Sequence, residues 1–415
     1  MYKLGDYAII ILRNLIQIKK GEIRLKKILA LLLVLSMVIL PIAACTPKTE
    51  TPVKEDKAEE VVEDKTEDKT EEKAEEPKEE DKEEATEEAK EGAEAAAGQI
   101  AKVGLGLVSS NAKSKDGAEG SGAVAQADTT LAAVGFDAEG KIVSVTVDVA
   151  QTKVEFAEDG TFAADLNADV KSKKERGAEY GMKGASEIGK EWDEQMAAFE
   201  EWMIGKTADE VTGIAVKERD EAHKSVPDIP DLTSSVTITV ESYQAAVKEA
   251  WDNAQDVEGA VKVGLGVVTS TMRSKELEEG KGMASHINTT AAAVALDAED
   301  KVVKAIVDVI QNQVKFNDEG VIDGDVTAEP KSKLDLGDEY GMKGASSIEK
   351  EWHEQIAEFT KWMEGKTIDE INGLAVKERD EAHKSVPDIP DLTSSVTITV
   401  EDYQAAVTEA AKLAR

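Results

Sequence analysis

The sequence predicts an α+β fold: two tandem copies of one domain, each with a mainly antiparallel sheet and packed helices, after a disordered acidic tether. Residues 101–255 match residues 261–415 at a constant offset of 160, with no net insertion. A repeat of this length indicates duplication of a whole domain and not a solenoid. Within each copy, apolar residues recur with period 2 in some segments and period 3.6 in others, as strands and helices require. We therefore predict a first domain at 100–256 and a second at 257–415.

Residues 1–44 have the features of a signal peptide. The apolar run 28–39 follows two lysines, precedes small residues and is short for a membrane span. The pair Ala43-Ala44 directly before Cys45 resembles the lipobox of bacterial lipoproteins. That resemblance implies lipidation of Cys45 and anchoring to the extracytoplasmic face of the cell membrane. An ordinary secretory signal with an incidental cysteine is the alternative.

The stretch before Lys26 is long for the basic region of such a signal. Translation from Leu25, read as a UUG start, would give a compact signal of ordinary length. A genuinely long basic region is the alternative, and the mature protein begins at Cys45 in either case.

The segment after Cys45 is strongly acidic. Residues 46–99 contain 22 Asp and Glu residues, 9 lysines and no aromatic residue. Such a segment buries too little apolar surface to offset its ordering entropy, so we predict a disordered linker; a solvated single helix is the alternative. The whole chain carries a net charge of −35. This charge excludes nucleic acid as a partner and argues against attachment of the folded part to anionic lipid.

The patterns within the first copy predict its elements in order. The strands are bounded by turn residues, and Ile188, Trp192, Met196, Phe199 and Met203 share one helical face. In the second copy Ser346-x-x-Glu349 is the expected capping box of this helix. We predict strands at Thr130–Phe136 and Lys141–Val149, a hairpin at Lys153–Ala164, a helix over Ile188–Met203, a short helix opened by Thr207-x-x-Glu210, an alternating run at Val236–Val240 and a helix from Ser242.

Three further features are better explained by structure than by chemistry. Trp192 and Trp202 recur as Trp352 and Trp362, and their helical spacing favours a core role over stacking on a flavin or sugar. The pair Gly104-x-Gly106 lacks the third glycine of a dinucleotide site and indicates a tightly packed strand. His223 and His383 are interpreted as exposed loop histidines, and no metal site is expected.

One segment points to a cofactor. Asp231-Leu-Thr-Ser-Ser-Val-Thr237 recurs unchanged as Asp391 to Thr397, and residues 213–241 recur as 373–401 with one change. The segment resembles the flavinylation motif of FMN-binding domains, which occur in surface lipoproteins of Gram-positive bacteria used for extracellular electron transfer. The resemblance covers most of the chain after Cys45. The motif usually has Gly-Ala where this chain has Ser-Val.

By this resemblance, an FMN transferase joins FMN from FAD to Thr237 and Thr397 through phosphodiester bonds. Asp231, Ser234, Asp391 and Ser394 match other positions of the motif. The alternative is a polar edge strand that leads into a helix.

The resemblance implies an electron carrier more than a turnover enzyme. The chain would relay electrons from a membrane donor, a dehydrogenase or the quinol pool, to extracellular acceptors. A non-redox lipoprotein with a duplicated ligand- or cell-wall-binding domain is the alternative. We expect residues 99–256 to fold and to be flavinylated alone, because each copy contains its own sheet, helices and motif.

Overall fold

A computed structural model of the chain describes residues 99–168 and 170–415. The predicted signal peptide, Cys45 and the acidic linker up to residue 98 lie outside the described residues. Within the described ranges, no helix is both long enough and apolar enough to cross a membrane. The prediction of an α+β fold with antiparallel sheets and packed helices is confirmed.

The first repeat (residues 101–255) forms a four-stranded antiparallel sheet in the order β3-β2-β1-β6. The predicted strand Thr130–Phe136 lies within β2, the predicted strand Lys141–Val149 coincides with the start of β3 to within one residue, and helices follow them in the chain. Its elements and the strand that follows it are β1 (Lys102–Ser110), β2 (Val124–Phe136), β3 (Ile142–Glu155), α1 (Lys173–Arg176), α2 (Trp192–Met203), α3 (Ala208–Thr212), β4 (Val216–Lys217), β5 (Val226–Pro227), α4 (Glu241–Asp252) and β6 (Gln255–Asp256).

The second repeat (residues 261–415) has the same succession of long strands and helices. Its sheet has the order β10-β9-β7, and a short extra strand, β8, pairs with β9. Its elements are β7 (Lys262–Ser270), β8 (Lys275–Glu278), β9 (Gly282–Leu296), β10 (Val302–Phe316), α5 (Lys333–Leu336), α6 (Trp352–Met363), α7 (Ile368–Asn372), β11 (Val376–Lys377), β12 (Val386–Pro387), α8 (Pro390–Thr393) and α9 (Glu401–Leu413).

One local prediction is wrong. The capping box of α6 is formed by Glu351 and Glu354, not by Ser346 and Glu349. The Ser346 hydroxyl instead accepts a hydrogen bond from Gln355, and Glu349 has a φ of 52°. The predicted hairpin at Lys153–Ala164 is present in a short form. The bridge Phe156–Phe162 closes its turn, and the Ala157 and Ala163 N–H groups donate to the Thr161 and Glu155 carbonyls at 2.7 and 2.8 Å. The capping box of Thr207 and Glu210 at α3 is confirmed.

The main sheet of each repeat is buried on both faces. On one face Gly104 and Gly106 let β1 approach α4, since a Cβ at either position would overlap a carbonyl oxygen of that helix. The prediction of a tightly packed strand there is confirmed. On the other face, alternating residues of β1 pack against the second repeat. This shared cluster includes Val103, Leu105, Leu107 and Leu131 of the first repeat and Val263, Leu265, Ala291 and Ile310 of the second, all less than 6% exposed.

Buried polar groups and aromatic rings also join the repeats. The Ser109 hydroxyl donates to Asn312 Oδ1 over 3.1 Å, and the rings of Phe156 and Phe316 meet edge to face at 5.6 Å. Such contacts cost free energy when one side is removed, because the remaining polar groups lose their partners. The two repeats therefore share a core as well as each having its own.

Independent folding of residues 99–256 stays a prediction. In such a fragment, the residues of the shared core lose their packing partners in the second repeat. Without the second repeat, the leucines of β1 and β2 would face water, and a contiguous apolar patch favours association. We expect this fragment to self-associate through that face, measured as a dimer or larger species by sedimentation. The same fragment with Leu105→Lys and Leu131→Lys should stay monomeric if it folds. A monomeric, fully stable wild-type fragment would contradict this expectation.

Two glutamates, one in each repeat, make the stability of the fold dependent on pH. Glu409 on α9 accepts a hydrogen bond from the Val267 N–H at 2.9 Å, and Glu249 on α4 makes the matching bond to Leu107. Burial, followed by repulsion from nearby carboxylates, raises the pKa of each glutamate to about 7.

Because each folded pKa lies above the unfolded value of 4.5, the stabilising contribution is complete below pH 4.5 and is lost as pH rises through 7. We therefore expect a lower Tm at pH 8 than at pH 6. The variant Glu249→Gln/Glu409→Gln keeps both acceptors and should reduce that difference, as measured by thermal unfolding. An unchanged difference would show that other groups cause it.

Candidate functional site

The motif segment lies between two buried elements and is mostly turn. In the first repeat Leu232 and Val236 are buried, and the Val236 N–H donates to the Leu232 carbonyl at 2.8 Å. From Val236 to Val240 the valines and Ile238 face inwards, whereas Thr237 and Thr239 are half-buried. The segment has this strand-like alternation of burial without a partner strand. The alternative of a polar edge strand is therefore wrong for residues 231–240.

The motif residues do not all come together. Asp231 and Ser234 are exposed, and neither side chain is hydrogen-bonded to Thr237 in the described part of the chain. Asp391 and Ser394 have the same exposed positions relative to Thr397. The threonines themselves are anchored, whereas the acidic and serine positions form the outer rim of the turn.

A buried glutamine holds each threonine. Gln195 on α2 is fully buried, and its Oε1 accepts from the Thr237 N–H at 2.8 Å and from the Thr237 hydroxyl at 3.2 Å. Its Nε2 donates to the Ser186 hydroxyl at 3.1 Å. Gln355 makes the same two bonds to Thr397 at the same distances. The motif did not indicate these glutamines, although each is a polar residue on a mainly apolar helical face.

The glutamine also limits what the site can do alone. A carboxamide oxygen orients a hydroxyl but does not remove its proton near neutral pH. Thr237 and Thr397 therefore have no general base of their own among the hydrogen bonds that the structure describes. A reaction at either hydroxyl needs a base from another molecule.

Removal of this glutamine should have a large local effect. Gln355→Leu leaves the N–H and the hydroxyl of Thr397 without their partner, and an unpaired buried group costs about 1–3 kcal/mol. We expect lower stability in urea unfolding and misplacement of Thr397. The matched change Gln195→Leu should act at Thr237 instead. Equal stability of wild type and both variants would contradict this role.

A hairpin formed by β4 and β5 packs beside the motif in the first repeat, and β11 and β12 form its counterpart in the second. Arg219 Nη1 donates to the Thr237 carbonyl at 2.9 Å, and Arg379 makes the same bond to Thr397 at 2.8 Å. At the hairpin tip, His383 Nδ1 lies 2.6 Å from Asp380 Oδ1. The histidines are partly exposed loop residues, as predicted.

In the second repeat a cavity of about 220 Å³ opens next to Thr397. The two residues that follow Thr397, Ile398 and Thr399, line it. Further lining residues are Arg273, Lys333, Tyr340, Met342, Trp352 and His383. The Thr399 hydroxyl is buried and has no hydrogen-bond partner, and neither has its counterpart Thr239. A buried unpaired hydroxyl is costly and indicates a missing partner.

A lysine lies between two rings at this cavity. Lys333 Nζ is 4.8 Å from the centre of the Tyr340 ring and 5.0 Å from that of Trp352. Burial lowers the pKa of Lys333 to about 8, while the nearby Asp308 carboxyl opposes that shift. Burial also raises the pKa of Asp308 to about 6. The cavity thus combines aromatic walls with a partly desolvated positive charge.

The first repeat has nearly the same lining chemistry. Twelve of the fifteen residues that line the cavity are identical at the matching positions, and Lys173 lies over Tyr180 and Trp192 in the same way. Among the differences, Asp128 replaces Asn288 and pairs with Lys113 at 2.7 Å. The core interpretation of Trp192 and Trp352 is confirmed, since each is 1% exposed. No group of three or more potential ligands is placed to hold a metal ion among residues 99–168 and 170–415.

Comparison with known proteins gives one partial similarity. A 94-residue segment is 42% identical to a chlorophenol reductase of Desulfitobacterium hafniense. The match covers 20% of this chain and 28% of that protein, so the chain spans less than a third of the relative's length. No family model and no solved structure matches the chain.

Proposed function

We propose that this chain is a membrane-anchored extracytoplasmic flavoprotein in which each of two duplicated domains carries one covalent FMN. One observation supports this most: in each repeat a buried glutamine holds the threonine hydroxyl, next to residues that line an aromatic, basic cavity in the second repeat and that largely recur in the first. Thr237 and Thr397 are the attachment residues. Cys45 is the lipidated anchor, and the acidic segment after it is the tether.

Attachment of FMN requires that the threonine hydroxyl attack phosphorus and that a base take up its proton. The oxygen of Thr237 or Thr397 attacks the FMN phosphorus of FAD, and the bond from that phosphorus to the AMP phosphate oxygen breaks. AMP leaves, the threonine proton passes to a base, and a phosphodiester remains. Since the glutamine is no base, an FMN transferase must supply one.

The lining residues fit a flavin ring. Tyr340 and Met342 would contact the ring, and the unpaired Thr399 hydroxyl would donate to or accept from its polar edge. Arg273 and Lys333 supply positive charge for an anionic group. The flavin, when attached, accepts and releases electrons, and the chain contributes position, exclusion of water and local charge.

A relay role follows from two such cofactors on one anchored chain. We propose that the chain passes electrons from a membrane dehydrogenase or the quinol pool to extracellular acceptors. The name of the partly similar protein from Desulfitobacterium hafniense, a reductase, is compatible with a redox role for the shared segment. A covalent cofactor suits an exported protein, because a dissociated flavin would be lost to the medium.

Co-expression with an FMN transferase tests this function. The purified protein should be yellow, and its band on a denaturing gel should fluoresce, because the flavin is covalently bound. Wild type and the variant Thr237→Ala/Thr397→Ala are compared side by side. A colourless, folded wild-type protein would favour a non-redox binding lipoprotein instead.

A further inference from the structure

The two repeats differ over much of their surface but not around the motif. From 213 to 241, 28 of 29 positions recur in the second repeat, whereas from 111 to 130 only seven of twenty recur. The identical stretch includes the outer hairpin, which we define as residues 216–227 and their counterparts 376–387. Identity there includes residues whose side chains point into water.

Several exposed residues of the outer hairpin have no internal role. The side chains of Glu218, Glu221 and Lys224 are exposed and have no hydrogen bond or ion pair within the described residues. The same is true of Glu378, Glu381 and Lys384. Val216 and Val376 are also exposed, at 42% and 43%. Substitution of such residues normally leaves stability almost unchanged, so folding does not account for their identity.

The outer hairpin is fixed next to the threonine. Arg219 bonds the Thr237 carbonyl and is restrained in turn by Asp220, whose carboxylate lies 3.1 Å from the guanidinium. A molecule that contacts the hairpin tip is therefore held at a defined place relative to the threonine hydroxyl. Such a molecule must also bring the base that the threonine lacks.

We propose that the outer hairpin of each repeat is the docking surface for the FMN transferase, which recognises it separately from the motif. This inference rests on the proposed function. A modifying enzyme acts on both threonines and therefore keeps both surfaces alike. An electron donor needs to reach only one of two flavins in a relay, which would leave the other surface free to diverge. Charged residues around an apolar contact are typical of transient recognition.

The experiment changes one hairpin and uses the other as an internal reference. Full-length protein with Glu218→Lys, Glu221→Lys and Lys224→Glu is incubated with purified transferase and FAD. FMN incorporation is followed over time by mass spectrometry of the two motif peptides, which differ at Ser242 and Asp402. The initial rate at Thr237 should fall about tenfold, and the rate at Thr397 should stay unchanged.

Two further variants make the result specific. The reciprocal changes Glu378→Lys, Glu381→Lys and Lys384→Glu should move the loss to Thr397. The control Lys153→Gln/Glu155→Lys alters exposed residues of β3 to those of the second repeat and should leave both rates unchanged. Equal rates of FMN incorporation at both threonines in the charge-reversed variants would overturn the proposal that the outer hairpin is the docking surface. Absence of FMN from both threonines of wild type would overturn the proposed function, and this inference with it.

Discussion

Thr237→Ala should leave one FMN on the chain, Thr397→Ala should leave the other, and the double variant should carry none. Each hydroxyl is the attacking atom, and alanine has no atom to replace it. The fold should persist, since each threonine is half-buried and its N–H keeps the bond to Gln195 or Gln355. The loss of a surface hydroxyl costs about 1 kcal/mol or less.

The measurement is the intact mass of each protein after incubation with transferase and FAD, together with its thermal unfolding curve. Thr233→Ala and Thr393→Ala are the matched controls, because those exposed hydroxyls lie four residues before the attachment sites and do not line the cavity. A double variant at Thr237 and Thr397 that still gains flavin would refute the assignment.

Gly264→Val should unfold the second repeat or come close to it. A Cβ at Gly264 would overlap the carbonyl oxygen of Ala410 and lie 2.8 Å from its carbonyl carbon. Both are backbone atoms of α9, so no side chain can rotate away and the helix must leave the sheet. We expect a loss of about 3 kcal/mol, seen as a lower midpoint in urea.

Gly264→Val should also reduce FMN attachment at Thr397, because Thr397 lies just before α9. Gly344→Ala is the control, since nothing lies within 4 Å of a Cβ at that position. A midpoint for Gly264→Val equal to that of Gly344→Ala would mean that β7 and α9 pack less closely than described.

The sequence patterns correctly predicted the elements that are stabilised by contacts between residues close together in the chain. The period-2 runs fall within β2 and β3, the apolar face of Trp192, Met196 and Phe199 falls on α2, and the Thr207 capping box opens α3. In each case neighbouring residues in the chain supply the determining contacts. Ser346-x-x-Glu349 failed because Glu349 has a left-handed φ of 52° and the helix begins only at Trp352, where Glu351 and Glu354 form the capping box.

The shared core and the cleft depend on contacts far apart in the chain. The run Leu131 to Phe136 is almost continuously apolar, which is the pattern of a strand buried on both faces. That signal indicates a second packing partner but not its identity. Gln195 was detectable as a polar residue on an apolar helical face, yet its threonine partner is 42 residues away. The cavity is formed by strands, helices, loops and the hairpin of the second repeat, and no single segment encodes it.

The most direct test of the central claim is the intact mass of wild-type protein produced with its transferase. Two covalent flavins require a mass increase of two FMN phosphodiesters. Mass spectrometry of the proteolytic peptides that run from Thr237 into α4 and from Thr397 into α9 should assign one flavin to each repeat. A single population with both additions is the expected result. A folded protein of unmodified mass, obtained with a transferase that flavinylates a known substrate in the same cells, would contradict it.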